Sequence, residues 1–342
     1  MPEHLVPLVE MTAAREVVGG RVHRTPMLSS TAAATAIEAV SGVSVADARL
    51  YLKAEHLQKT GSFKPRGALN KVASLAPAQR EAGIITMSAG NAAQGYAWAG
   101  RELGVSVVVV MPLAAVPSKV AACLGYGAEI VLHGEHIGET FDELKRLEAE
   151  RGLIFCHPFD DPAVIAGHGS LGLEIAEDEP EVDVVVVPIG GGGLISGVAT
   201  AVKERLPNVR VYGVEPEGSN AMSIALERNE IVRIDPVSVA DGLGAPFAGT
   251  WTLAAVRRYV DDIVLLDDAT ILGGLRFAAE RIKQVLEPAG AAALGALIYG
   301  RIPLRDGDRV CAVLSGGNVD LDRVGEFLAS AAPLPSAAPI PA

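Results

Sequence analysis

Short apolar runs recur along the chain, separated by stretches with helical spacing. The runs are LYLKA (50–54), GIITM (83–87), SVVVVM (106–111), EIVLH (129–133), LIFC (153–156), DVVVVP (183–188), RVYGVE (210–215), DIVLL (262–266) and RVCAVL (309–314). Several are apolar at every position, as expected of strands covered on both faces of a parallel sheet. Between them, NAAQGYAWAGRELG (91–104), GETFDELKRLEAERG (138–152) and LISGVATAVKERL (194–206) carry apolar residues at helical spacing. Alternation of strand and helix predicts an α/β protein with parallel sheets flanked by helices. No repeat of fixed period interrupts it. The last segment, SAAPLPSAAPIPA, is rich in Pro, Ala and Ser, and residues 329–342 are expected to form a disordered tail.

Composition narrows the function. The chain has 342 residues, 49% apolar and 20% charged, which suits about two packed domains. A net charge of -12 leaves no basic stripe for a phosphate backbone, so the expected partners are small molecules and not nucleic acid. The longest apolar run, VSVVVVMPLAAV, is too short to span a bilayer and is broken by Pro112. The N-terminal residues lack the basic-then-apolar pattern of a signal peptide. Cys123, Cys156 and Cys311 are odd in number and widely spaced, which fits a reducing cytoplasm better than a disulfide framework. No regulatory domain is expected after the core.

Four glycine-rich stretches carry candidate chemistry. PIGGGGLISG (188–197) follows an apolar strand and opens a helix. Its backbone N–H groups can approach an anion at the positive end of a helix. It lacks the lysine and hydroxyl of a P-loop and fails the GxGxxG dinucleotide spacing, so a phosphate monoester is the expected anion. SAGNAAQG (88–95) also stands where a strand meets a helix; it can donate to a carboxylate or ring oxygen, or simply cap the helix. LSGGN (314–318) follows the strand RVCAVL and reads either as a ligand loop or as a structural turn. TGSFKPRG (60–67) places Lys64 just before a proline able to start a helix. A lysine at that positive end has its neutral amine favoured, the form Schiff-base chemistry requires. Other clusters say less. HGEH (133–136) has two histidines and no third ligand nearby, and Glu287 in LEPAGAAA reads as a first-turn acid.

Taken in order, GSFKPRGALN, SAGNAAQG, VPIGGGGLISG and VLSGGNVD resemble the pyridoxal-phosphate enzymes of the tryptophan-synthase-β type. HPFDDPAVIAGHGS and ADGLG are similar to its threonine/serine dehydratase and serine racemase branch. The resemblance covers residues 10–328. It implies the two-domain fold type II, with 1–82 and 161–328 as a large domain and 83–160 as a small one. It implies pyridoxal 5'-phosphate in the cleft between them, with Lys64 bonded to the cofactor aldehyde. Gly190, Gly191, Gly192, Gly193 and Leu194 would cradle the phosphate, Asn91 would meet the ring hydroxyl, and Ser315 the ring nitrogen. Phe63 and the backbone at Gly242 would flank the ring, and Ser88, Ala89, Asn91 and Ala92 would take the substrate carboxylate.

The activity so implied is dehydration of an L-threonine- or L-serine-like β-hydroxy amino acid to a 2-oxo acid and ammonia, by a cytoplasmic homodimer or larger assembly. Serine racemases carry a second serine where this chain has Ala89, which favours dehydration over racemisation. Many relatives have histidine at the position of Ala92; its loss widens the carboxylate pocket and would admit hydroxyaspartate or a bulkier substrate. Relatives with a divalent-cation site pair a glutamate like Glu215 with an aspartate where this chain has Ala221, leaving Glu215 and the Ser219 carbonyl as a reduced cation contact. The rival readings are a related β-eliminase or synthase acting on a different β-substituent, a serine racemase-like enzyme, a dinucleotide-binding oxidoreductase and a non-catalytic phosphate-binding or sensor protein.

Overall fold

A computed structural model describes residues 4–335 and holds two sheets. The larger has six strands: β1 (Met27–Ser30), β2 (Leu50–Lys53), β7 (Val184–Pro188), β8 (Arg210–Pro216), β9 (Asp262–Leu266) and β10 (Val310–Val313). Their order is β1-β2-β10-β7-β8-β9, parallel throughout except that β1 runs antiparallel to β2. The smaller sheet is wholly parallel, in the order β5-β4-β3-β6, from β3 (Ile84–Met87), β4 (Val107–Met111), β5 (Glu129–Leu132) and β6 (Ile154–Phe155).

All nine expected strands form. The tenth, β1, is the sequence MLSS at the sheet edge, too short and too polar to show a period. The central strands are valine-rich because both faces are covered. Along β7, Val184 and Val186 pack on one side of the sheet, and Val185 and Val187 on the other. The first side is filled by α12 (Asp268–Phe277) and α13 (Pro288–Ile298), every residue of which is buried. The second side is filled by α8 (Pro162–Asp178) and α9 (Gly193–Arg205).

Residues 329–335 of the expected tail are ordered against the core. Ala329 and Ser330 finish α14 (Leu321–Ser330), the Ala332 N–H donates to Ala269 O at 2.9 Å, and Tyr299 Oη donates to Ala332 O. The tyrosine hydroxyl and helix backbone hold these residues against the core. The rest of the expected tail, from 336 on, lies outside the described residues.

Candidate active site

Lys64 opens α3 (Lys64–Ser74), with Phe63 as its N-cap and Pro65 in the first turn. The preceding loop is strapped to the loop after β10. The Phe63 N–H donates to Ser315 O at 3.1 Å, the Gly317 N–H to Gly61 O at 2.9 Å, and Asn318 Nδ2 to Thr60 O at 2.7 Å. Two stretches some 250 residues apart are thereby joined, and Lys64 comes to stand beside Ser315. Behind it, α5 (Asn91–Leu103) approaches so closely that a Cβ on Gly95 would press on Lys64 Cβ at 3.0 Å.

Lys64 Nζ lies 4.9 Å from the centre of the Phe63 ring and 3.4 Å from Pro158 O. Burial pushes its ammonium down to about 8, and the nearby Glu287 carboxylate offsets part of that shift. A buried carbonyl and a ring face stabilise a cation less than water does, so the amine form is within reach near neutral pH.

The tetraglycine loop connects β7 to α9. Gly192 holds φ at +88°, which side chains rarely adopt, and a Cβ there would meet Thr252 Cβ at 2.9 Å. Among the described residues, the N–H groups of 190–194 donate to no acceptor, so a fan of donors is left at the start of a helix. A dianionic phosphate fits such a cradle. The Phe159 ring supports it from below, and a Cβ on Gly191 would enter that ring. We expect Gly191→Ala to weaken cofactor affinity about 10- to 100-fold, the loss of one or two charge-assisted hydrogen bonds. Titration of the cofactor into cofactor-free protein measures it.

Ser315 is buried at the end of β10, and its hydroxyl makes only a long contact, 3.4 Å to Ala289 O, so it remains able to turn toward a ring nitrogen. Asn91 starts α5, and in the loop before it the Gly90 N–H donates to Ser88 Oγ at 3.1 Å. One cavity of about 510 Å³ is lined by Phe63, Lys64, Ser88, Ala89, Asn91, Ala92, Gly190, Gly191, Gly192, Gly193, Leu194, Gly242 and Ser315. A donor cradle, a reachable amine, a free hydroxyl and an amide on one cavity fit pyridoxal phosphate.

Glu215 and Ser219 stand apart from that cavity. The Glu215 carboxylate accepts from the Met222 and Ser223 N–H groups, both at 2.9 Å, and from Ser223 Oγ at 2.6 Å. It caps α10 (Ala221–Arg228), and burial raises its pKa. Ser219 Oγ donates to Leu243 O at 2.8 Å. Among the described residues no three His, Cys, Asp or Glu side chains gather to hold a metal.

Comparison with known proteins shows the family of the chain. The family model for pyridoxal-phosphate dependent enzymes matches residues 22–316. The chain belongs to that family. It is 39% identical over 325 residues to the L-threonine ammonia-lyase of Thermotoga maritima, covering 95% of this chain and 78% of that protein. It is 41% identical over 324 residues to the catabolic L-threonine dehydratase of Escherichia coli K12, covering 94% and 96%. The solved structure of maize serine racemase superposes with a TM-score of 0.86 at 34% identity, covering 95% and 97%.

Three contributors to the site are given no role by the sequence, although two of them stand in stretches it singles out. Glu287 reads as a helix-start acid, yet it lines the cavity. Asn318 secures the lysine loop through Thr60. Phe159, in the HPFDD turn, supports the glycine cradle, and His157 fixes that turn by accepting from the Asp160 N–H at 2.8 Å. The aromatic spacing in HPFDD is the one signal that could have pointed to Phe159.

Proposed function

We propose that the protein is a dehydratase of L-threonine and L-serine, releasing ammonia and a 2-oxo acid. The observation that carries this reading is Lys64, an amine with its ammonium pushed down to about 8, set among a phosphate cradle, an amide and a hydroxyl. The likeness to a threonine ammonia-lyase and a threonine dehydratase over most of their length supports the substrate class.

The cofactor, when bound, supplies an aldehyde that captures amines and a ring that accepts the electrons left at Cα. The chain's residues do the rest. The N–H groups of 190–194 would hold the phosphate, and Phe63 and Gly242 would flank the ring. The loop 88–92 takes the substrate carboxylate, fixing which Cα–H points at Lys64. Nζ, as free amine, accepts that proton. The β-hydroxyl would leave as water with the proton that Nζ took from Cα, which returns Nζ to the free amine, and a second water would later release ammonia by hydrolysis. Ser315 would offer the ring nitrogen a neutral hydroxyl in place of a carboxylate, which would hold a proton there less firmly and favour elimination.

Residue 89 is alanine and offers no proton carrier on the loop facing Lys64, which favours elimination over racemisation. The test is a screen of threonine, serine, hydroxyaspartate and phenylserine with 2-oxo acid release as readout and chiral analysis of recovered serine. We expect 2-oxobutanoate from threonine and pyruvate from serine. D-Serine appearing as fast as pyruvate overturns the elimination assignment. Hydroxyaspartate turning over far faster than threonine overturns the substrate and leaves the chemistry standing.

The same reading takes residues 83–160, which hold the four-stranded sheet, as a small unit facing a large one made of 1–82 and 161–328. It places the enzyme in the cytoplasm, as a homodimer or larger assembly. Three buried free cysteines suit a reducing compartment, and among the described residues no helix is long and apolar enough to cross a membrane.

A further inference from the structure

Two carboxylates line the catalytic cavity, and they differ in kind. Asp241 is half exposed and paired with Lys119 Nζ at 2.5 Å. Glu287 is 3% exposed. It stands directly before α13, where an acid commonly caps the helix, yet its side chain accepts no N–H from that helix. The carboxylate turns the other way, against Gly316, where a Cβ would overlap Oε1. There Oε1 accepts from Asn91 Nδ2 at 2.6 Å.

The other end of the Asn91 amide is also held. Asn91 Oδ1 accepts from Asn318 Nδ2 at 2.8 Å, and Asn318 is anchored on Thr60 O. With its oxygen facing a donor and its nitrogen facing a carboxylate, the amide cannot flip without placing two acceptors together. One N–H of Nδ2 remains unspent, on the wall that also carries Lys64 and Ser315.

We propose that Glu287 is a positioning residue: it holds the Asn91 amide with its free N–H toward the ring hydroxyl of the cofactor, and its own protonation sets the charge which that hydroxyl faces. The inference rests on the cofactor site assigned above. A route for the proton exists. Glu287 also borders a second, small cavity of about 20 Å³, lined by Lys119, Asp241, Asn318, Asp320 and Arg323 among others, which is room for one water. Burial is the main influence on the carboxyl and, with Asp241, raises it to about 7; Lys119, the Asn91 hydrogen bond and Lys64 pull it back. Asp320 and Arg323, at the start of α14, complete the charged groups around it. The carboxyl therefore changes charge near neutral pH.

The experiment reads the cofactor and needs no substrate. Wild type, Glu287→Gln and Glu287→Ala are loaded with pyridoxal phosphate, and the visible spectrum is followed across about pH 5–9. Cofactor affinity is measured by titrating the cofactor-free proteins. Wild type is expected to show a spectral step near pH 7. Glu287→Gln should lose that step while binding the cofactor within about threefold of wild type, because its amide oxygen still accepts from Asn91. Glu287→Ala should lose the step and bind about tenfold more weakly. If Glu287→Ala fails to fold, the glutamine variant decides alone. An unaltered step in Glu287→Gln sinks this inference and leaves the cofactor site standing. Failure of wild type to take up the cofactor sinks both.

Discussion

Lys64→Ala lowers turnover of threonine by at least ~10³-fold, the combined loss of a covalent partner and a positioned base. The variant still folds, because the lysine contributes little to the core: its amine makes one long contact, to Pro158 O at 3.4 Å. Borohydride reduction of loaded wild type should fix the cofactor mass on Lys64, and the alanine variant should gain none. Stability adds an independent check. The lysine titrates at about 8 in the folded cofactor-free protein and near its ordinary value when unfolded, so the native state binds fewer protons between those values. Its desolvation cost is therefore fully present below pH 8 and fades as pH rises toward 10.5. Cofactor-free Lys64→Ala should be more stable than wild type at neutral pH, with the gap closing in alkali. Normal turnover by the variant would end the assignment.

The chemistry of this fold lies at the ends of its strands, and that part was legible. The tetraglycine, SAGN and LSGGN stretches each follow an apolar run, and a strand's end in an α/β sheet is where ligands gather. The central runs could be read as strands because both of their faces are covered and the apolar signal is unbroken; the edge runs β5 and β9 are partly exposed and were legible from their short apolar stretch alone. β1 escaped for the opposite reason: at the edge, its four residues are half solvated. What could not be read were pairings made only by folding. Asn91 and Glu287 stand 196 residues apart, and Asn91 and Asn318 stand 227 apart. Asn91 and Asn318 stand in stretches the sequence marks, but nothing local says that they meet each other or Glu287. Glu215 is a further case. Its place near the end of β8 resembles a cation ligand, and the helix that follows also turns its N–H groups onto the carboxylate, a contact no local pattern announces.

Arg66→Met destabilises the protein by about 3–5 kcal/mol, the cost of leaving buried carboxylates without their cation. Arg66 is fully buried two residues beyond Lys64. Its guanidinium donates to Glu55 through Nε and Nη2, both at 2.8 Å, and to Glu174 at 2.7 and 2.9 Å. Lys53 extends the network with Nζ 2.9 Å from Glu174 and 3.0 Å from Asp178. The pairing ties α3 to α8 and to the turn after β2, and so fixes the helix that starts with Lys64. A lysine in place of Arg66 offers a point charge where two forks are needed, so Arg66→Lys should recover only part of the loss. The triple replacement of Arg66, Glu55 and Glu174 by apolar residues of similar size should be less damaging than Arg66→Met alone, since Lys53 loses one partner but keeps Asp178 and Thr25 O, and no carboxylate is stranded. Chemical denaturation followed by circular dichroism measures all three. A cost under about 1 kcal/mol for Arg66→Met would mean the network behaves like surface ion pairs, and that packing alone holds α3 in place. If the network does hold α3, loaded Arg66→Lys should keep its colour but turn over more slowly, because the Schiff-base lysine survives while its reach to the Cα proton is blurred.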